Sequence, residues 1–392
     1  MITRVRVKNY RGLADVDVSL GPLTVLVGPN GSGKSNFVDV LRFVSEALRL
    51  GLDSAILKRG GITSIRRWSP RRPYDIEISL NIEEENFRGE YALSIGSKAE
   101  GAYHVKREFC EGKGGTSFLV TKEGESIAFE RRDGEWIHYP EQLDFFRPRK
   151  DLPVSSTALV LPIISQFSPF RDIFIYLFRE MSFYTIFPDI LREPQKPLNN
   201  YPLNEHGENL ASVLRKMRQD KNPWLPDLKE ALGMAVEGIT DIEVRQTGGY
   251  LVVRFKHEGE EERTHFFDAA QESDGTLRIL GLLVALYQDP PRSLITMEEP
   301  ELTVHPGAMG ILCDVIREAS QRTQIVLTTH SPDLISRFDP ASLRVVEMVQ
   351  GITKIGEVDE AQLRAVREKL FSPGDLLRIE GLRRQAEEPA MR

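Results

Sequence analysis

Residues 28–35 read GPNGSGKS, between an apolar run at Leu23–Val27 and a helix-like stretch at Lys34–Leu50. This order of strand, glycine loop and helix constrains the chain more than any other feature. It fits G-x-x-x-x-G-K-[ST], in which backbone N–H groups cradle the phosphates of a nucleotide at a helix N-terminus. Glycines at 28, 31 and 33 let the main chain wrap that closely. The phosphate-binding set is therefore Gly28, Pro29, Asn30, Gly31, Ser32, Gly33, Lys34, Ser35 and Asn36. Lys34 is expected to neutralise the β- and γ-phosphates and Ser35 to place its hydroxyl on Mg²⁺. The competing reading is a plain glycine turn, which would need neither the lysine nor the flanking strand and helix.

A chain of 392 residues, 41% hydrophobic and 28% charged, can bury a large core without staples. Its longest apolar runs, such as 279–287, fall short of the ~20 residues that cross a bilayer. The N-terminus alternates apolar and basic residues instead of forming an export signal, so the expected location is cytoplasmic. Cys110 and Cys313 are the two cysteines, without a CxxC pair or nearby histidines at metal spacing, which gives no support to a disulfide framework or a zinc site. A net charge of −7 leaves the partner open, since an acidic chain can carry a local basic patch.

Short strands are expected at Ile2–Val7, Val16–Leu20 and Leu23–Val27, and period-2 stretches from Tyr74 to Ile137 predict an antiparallel meander. An aromatic, proline-punctuated segment follows between Pro153 and Pro202. Helices are predicted around Glu208–Arg218 and Leu225–Val236, then strands at Ile239–Arg245 and Tyr250–His257. From Ser273 the pattern alternates helix and strand, as in a parallel α/β layer. The tail from Gln385 is expected to fray.

Two acidic residues close a buried-looking strand in the segment SLITMEEPE, residues 293–301. Glu298 is expected to hold Mg²⁺ and Glu299 to orient and deprotonate an attacking water, because phosphoryl transfer depends on positioning and charge neutralisation. A solvated strand end is the plainer alternative. A second strand, Gln324–Thr329, runs straight into His330 and the helix start Ser331–Asp333. A histidine there stands where α/β sheets hold ligands, so His330 is expected to sense the γ-phosphate; the plainer alternative is a structural histidine.

The stretches VKNYRGLADVDVSLGPLTVLVGPNGSGKSNFVDVL, ESDGTLRILGLLVALY, LITMEEPELTVHP and VLTTHSPDLI together resemble ABC-type ATPases related to RecF, SMC and OLD (overcoming lysogenization defect) proteins, in particular their compact bacterial members. The resemblance implies an α/β, two-lobed ATPase head with an antiparallel β region and a mainly parallel sheet flanked by helices. It implies lobes at 1–203 and 204–350 with a helical extension at 351–392. It also implies ATP and Mg²⁺ as ligands, and a signature corner at Ser273, Asp274, Gly275 and Thr276 that reaches the nucleotide of a second copy. That makes a homodimer, closed head to tail, with Leu302–His305 as the loop touching the opposite site. A serine and glycine amides at a helix start form an anion-binding edge in their own right, while an ordinary helix cap uses the same residues. The chain departs from the wider family in having Glu298 where aspartate is usual and Asp274 where transporters carry glycine. A glutamine loop is placed less securely, with Gln166 as the candidate. Many OLD proteins carry a C-terminal Toprim nuclease, and the roughly fifty residues after Pro340 are too few for one, so the expectation is either a separate effector protein or a chain that acts alone as a clamp or switch.

Lys58, Arg59, Arg66, Arg67, Arg71 and Arg72 fall within fifteen residues. Such a strip can neutralise nucleic-acid phosphates, or it can be a solvated or subunit-contacting loop. The rival functions are a nucleotide-gated binding module with negligible turnover, the nucleotide-binding subunit of a transporter, and a small-molecule P-loop kinase. The setting that the resemblance implies is DNA maintenance or defence against mobile elements.

Overall fold

The computed structural model describes residues 1–68, 74–84, 88–97, 101–114, 116–123, 126–131, 155–165, 170–179, 181–199, 202–258 and 264–385. Packing divides the chain into two units that are discontinuous in sequence: Met1–Gly21, Gly28–Met181 and Val345–Glu357 in the first, Pro22–Val27, Ser182–Arg344 and Val358–Arg392 in the second. The chain passes from one to the other at the Val27–Gly28 peptide, where the glycine loop begins.

The first unit is built on a seven-stranded antiparallel sheet. Its strands lie in the order Leu13–Ser19, Ile2–Tyr10, Ile76–Glu83, Arg88–Ser97, Tyr103–Gly114, Thr116–Glu123 and Ser126–Arg131. Alternation decides which face is buried. Val5 and Val7 point inward while Arg4, Arg6 and Lys8 point to solvent, and Ile76, Ile78, Leu80 and Ile82 repeat the pattern on the neighbouring strand. The helix Lys34–Leu50 buries Phe37, Leu41 and Phe43 among its apolar side chains, and the Phe43 ring meets that of Tyr10 at 5.7 Å. Within the aromatic segment, buried Glu108 accepts from the N–H groups of Val160 at 2.5 Å and Leu161 at 3.1 Å, and so fixes the short helix Leu161–Ile164.

Two strands expected at the N-terminus are longer than their apolar cores, Ile2–Tyr10 and Leu13–Ser19. The same unit ends in a hairpin pairing Val345–Val349 with Ile352–Gly356. A strand thus opens the segment after residue 350 that the sequence reading took as helical. The reason is the Gln350–Gly351 turn, both residues at positive φ, which is the geometry that matches the twist of a two-residue hairpin.

The second unit centres on three parallel strands in the order Leu294–Glu298, Gln324–Thr329, Leu23–Val27. All but the last residue of the first and the first residue of the third are fully buried, as in a layer covered on both faces. The helix Asp274–Leu286 is buried almost throughout, and Pro306–Ala319 buries one stripe. Helices Leu210–Gln219 and Leu225–Ala235 and the antiparallel strands Ile239–Thr247, Tyr250–Glu258 and Thr264–Asp268 complete it, with Gly248 and Gly249 at positive φ in the first hairpin. Among the described residues no helix is long and apolar enough to cross a membrane.

Candidate nucleotide site

The glycine loop has the shape its sequence demands. Gly31 and Gly33 stand at φ 78° and 109°, a region that side chains rarely enter. Gly28 is held by space instead: a Cβ there would lie 2.1 Å from the Val346 carbonyl oxygen. The Lys34 ammonium curls back under the loop and donates to the carbonyls of Gly28 at 2.7 Å and Pro29 at 3.0 Å. Among the described residues no side chain caps the helix Lys34–Leu50, and its first turn holds no carboxylate, so its dipole end faces the loop. Pro29, Asn30, Ser32, Ser35 and Asn36 all belong to this turn, with Ser32 fully buried.

Behind the loop, five residues tie the helix to its surroundings. Asp39 takes two donors from Arg59, at 2.7 and 3.0 Å, one from the Tyr10 hydroxyl at 2.7 Å and one from Arg11 at 2.9 Å. Arg59 also reaches Glu46 at 2.6 Å. Burial alone would push the Asp39 carboxyl up, but Arg59, with Tyr10 and Arg11, holds it below the usual carboxylate range.

This corrects the expected basic strip. The Arg59 side chain is only 6% exposed and its donors are taken by Asp39 and Glu46, so it offers nothing to a phosphate backbone. Lys58 bonds Glu46 at 3.0 Å, Arg66 bonds the Ser97 hydroxyl, and Arg67 follows in the extended chain. Arg71 and Arg72 lie outside the described residues, as does Gln166.

In the second unit the parallel register sets the acidic strand end beside the histidine. Glu298 pairs with Thr328, and Thr329 pairs with Val27, the residue that precedes Gly28. Three strands therefore finish at one edge of the ladder, with Glu299 and His330 the first residues beyond two of them. Glu299 stands at φ 46°, a strained conformation for a side chain of its size. Its N–H donates to the Thr328 carbonyl at 2.9 Å, and its Oε1 lies 3.1 Å from Nδ1 of His330. The acid and the histidine expected from sequence are thus hydrogen-bonded partners. Glu301 lies deeper: burial pushes its carboxyl up, against a hydrogen bond donated by the Thr329 hydroxyl.

At the signature corner Ser273 caps the helix Asp274–Leu286, its Oγ accepting from the Thr276 N–H at 3.1 Å and lying 2.9 Å from the Thr276 hydroxyl. The cap uses one lone pair, and either hydroxyl can be the donor between Ser273 and Thr276. The amides of Asp274 and Gly275 head the helix, where no intrahelical acceptor exists. The Asp274 carboxylate is bonded by Arg192, which also donates to the carbonyls of Glu272 at 2.8 Å and Ala270 at 3.3 Å. Of the loop Leu302–His305, Leu302 is exposed, Thr303 is at φ 61°, and His305 caps the next helix by accepting from the Gly307 N–H at 3.1 Å.

Sequence reasoning missed Arg192 and Arg278. Arg192 gives no local cue. Arg278 does, as the lone charge in the apolar run LRILGLLVALY. Its guanidinium, 5% exposed, donates to the carbonyls of Ile186 and Glu299, each at 2.9 Å.

As for Mg²⁺, a serine hydroxyl at 35 and a carboxylate at 298 are hard oxygen donors, the kind that cation takes beside phosphate oxygens and water.

The family described as AAA domain, putative AbiEii toxin, Type IV TA system, matches residues 23–336. An OLD nuclease of Thermus scotoductus is 23% identical over 382 residues, covering 94% of this chain and 67% of that protein. The Old nuclease of Escherichia phage P2 is 21% identical over 372 residues, covering 86% of this chain and 57% of its own length. The chain thus spans between about half and two thirds of these curated relatives. A crystal structure of an Smc head bound to the C-winged helix domain of ScpA superposes with a TM-score of 0.54 at 13% identity, covering 90% of this chain and 96% of that one. That likeness establishes the mixed α/β fold of the head class.

Proposed function

The chain belongs to this AAA-domain family, within the RecF, SMC and OLD group of ABC-type ATPases, and from that premise we propose that it binds and hydrolyses ATP to close and reopen a head-to-tail homodimer. The observation that carries the reading is the parallel register that ends Val27, Glu298 and Thr329 at one edge, with Glu299 and His330 hydrogen-bonded at 3.1 Å just beyond it.

The residues divide the work as follows. Backbone N–H groups of residues 28 and 30–36 bind the β- and γ-phosphates, and Lys34 balances their charge. Ser35 and Glu298 would hold Mg²⁺, which would supply positive charge beside the transferring group. Glu299 accepts a proton from water as that oxygen attacks the γ-phosphorus. The bond from the γ-phosphorus to its bridging oxygen breaks, leaving ADP and phosphate. His330 holds the Glu299 carboxylate through Nδ1–H and, as the imidazolium, would also donate from Nε2 to the γ-phosphate. The opposite copy brings Ser273 and the amides of Asp274 and Gly275, with Leu302–His305 beside them, to complete the site. Opening and closing is the output, passed to a separate effector in DNA maintenance or defence. The OLD-named relatives support that setting, and Lys58, Arg66 and Arg67 are the candidate nucleic-acid contacts.

Steady-state ATP turnover of wild type against Glu299→Gln tests the enzyme reading. Turnover is expected to fall at least about a hundredfold, with ATP binding retained. Equal, negligible rates in both proteins would identify a nucleotide-gated module instead. Wild-type turnover in the variant would remove Glu299 from the chemistry.

A further inference from the structure

The segment from Glu299 to Thr303 begins and ends on residues in the left-handed region, φ 46° and 61°, neither of them glycine. A non-glycine residue persists there only where its neighbours over-determine it. Here the neighbour at both ends is one helix, Asp274–Leu286. At the first end Arg278 donates to the Glu299 carbonyl at 2.9 Å. At the other, the Thr303 carbonyl oxygen is packed so closely on Gly275 that a Cβ there would lie 2.7 Å from it. The acidic loop and the signature helix are therefore one block.

Arg278 has a costly place in that block. Its side chain is buried, and its two terminal nitrogens donate to neutral carbonyls, of Ile186 and Glu299, instead of a carboxylate. Burial lowers its pKa, opposed by Glu301 and Glu299 nearby. A buried cation that satisfies two carbonyls is a poor device for stability alone. It is a good one for geometry, because a guanidinium holds its donors in a rigid plane. With the Glu299 N–H on Thr328 at 2.9 Å, both peptides flanking Glu299 are pinned, and its side chain is aimed at His330.

We propose that Arg278 is a positioning residue: it holds Glu299 in its left-handed conformation and ties it to the Ser273–Gly275 corner, so that engagement of the corner by nucleotide is felt at the acid that activates water. The proposal rests on the assignment of Glu299 and the signature corner made above. It goes further in naming the connection between them, which runs inside a single copy from the edge that serves one nucleotide to the acid that serves the other.

Steady-state turnover and ATP binding of Arg278→Met, Arg278→Lys and Glu299→Gln, each in the full chain with ATP and Mg²⁺, test it. Arg278→Met is expected to lower kcat by about ten- to a hundredfold, with the half-saturating ATP concentration and the binding of ATP changed less than about twofold. Arg278→Lys, which keeps the cation and a donor, is expected to recover part of that loss. If Arg278→Met does not fold, Arg278→Lys carries the test alone, with an intermediate kcat at unchanged ATP binding. Wild-type kcat in a folded Arg278→Met, or in Arg278→Lys when only that variant folds, overturns the proposal. So does a loss of kcat matched by an equal loss of ATP binding, which marks a purely structural arginine. Glu299→Gln separates the two levels: if it stays active, the assignment of the acid fails; if it is inactive while Arg278→Met turns over normally, only the connection fails.

Discussion

A single methyl group at Gly33 meets two obstacles at once. The residue stands at φ 109°, and a Cβ there would lie 2.2 Å from the Thr353 hydroxyl oxygen, inside the same packing unit. Gly33→Ala should therefore lose about 1–3 kcal/mol of stability and weaken nucleotide binding at least tenfold, because the loop must move to relieve the clash. Thermal unfolding and fluorescent-nucleotide titration check this, and a stable variant with unaltered binding would show that the loop tolerates another path. At this scale the sequence is easy to read where chemistry dictates residue type. Gly28, Lys34, Glu299 and His330 are recognisable because phosphate and water leave few alternatives. Arg278 is harder, since its acceptors lie 92 and 21 residues away in the chain, and Asp274 shows a departure from the family pattern without showing Arg192 beside it.

Elements in the first unit are joined by the acids on the helix Lys34–Leu50. Asp39 and Glu46 are held below the usual carboxylate range, burial working against Arg59 in both cases and Arg59 prevailing. A carboxyl whose folded pKa is depressed contributes stability that is fully present above its unfolded pKa, near 4, and that is lost as pH falls through the lower folded value. The wild-type melting temperature should accordingly drop as pH falls from about 5 to 3. Asp39→Asn should begin lower, by about 2 kcal/mol at neutral pH, and show a shallower decline across that window. Parallel slopes in the two proteins would place the acid-sensitive interaction elsewhere. The network also explains why the basic strip is hard to read from sequence: a run of arginines gives charge but not partners, and Asp39 sits twenty residues before Arg59. Helix and strand positions were legible from period and turn chemistry, as at Leu225–Ala235 and Tyr250–Glu258. The hairpin at Val349–Ile352 was missed although Gln-Gly is its cue, because the helices Glu360–Arg367 and Pro373–Ile379 dominate the pattern after it.

For the whole molecule, the claim on which all the others depend is that two copies share two nucleotides. The glycine loop and the Ser273–Gly275 corner both present backbone N–H groups at a helix start, and on the proposed reading each nucleotide takes the loop of one copy and the corner of the other. Hydrolysis would dissolve such a pair, so the informative form is Glu299→Gln, in which ATP should bind and persist. Its molar mass by sedimentation equilibrium or light scattering, at micromolar protein with and without ATP and Mg²⁺, is the most direct measurement. The account predicts monomers without nucleotide, dimers with ATP, and monomers again when Ser273→Arg is added to the same protein. A mass that stays monomeric with ATP bound at saturation would contradict it.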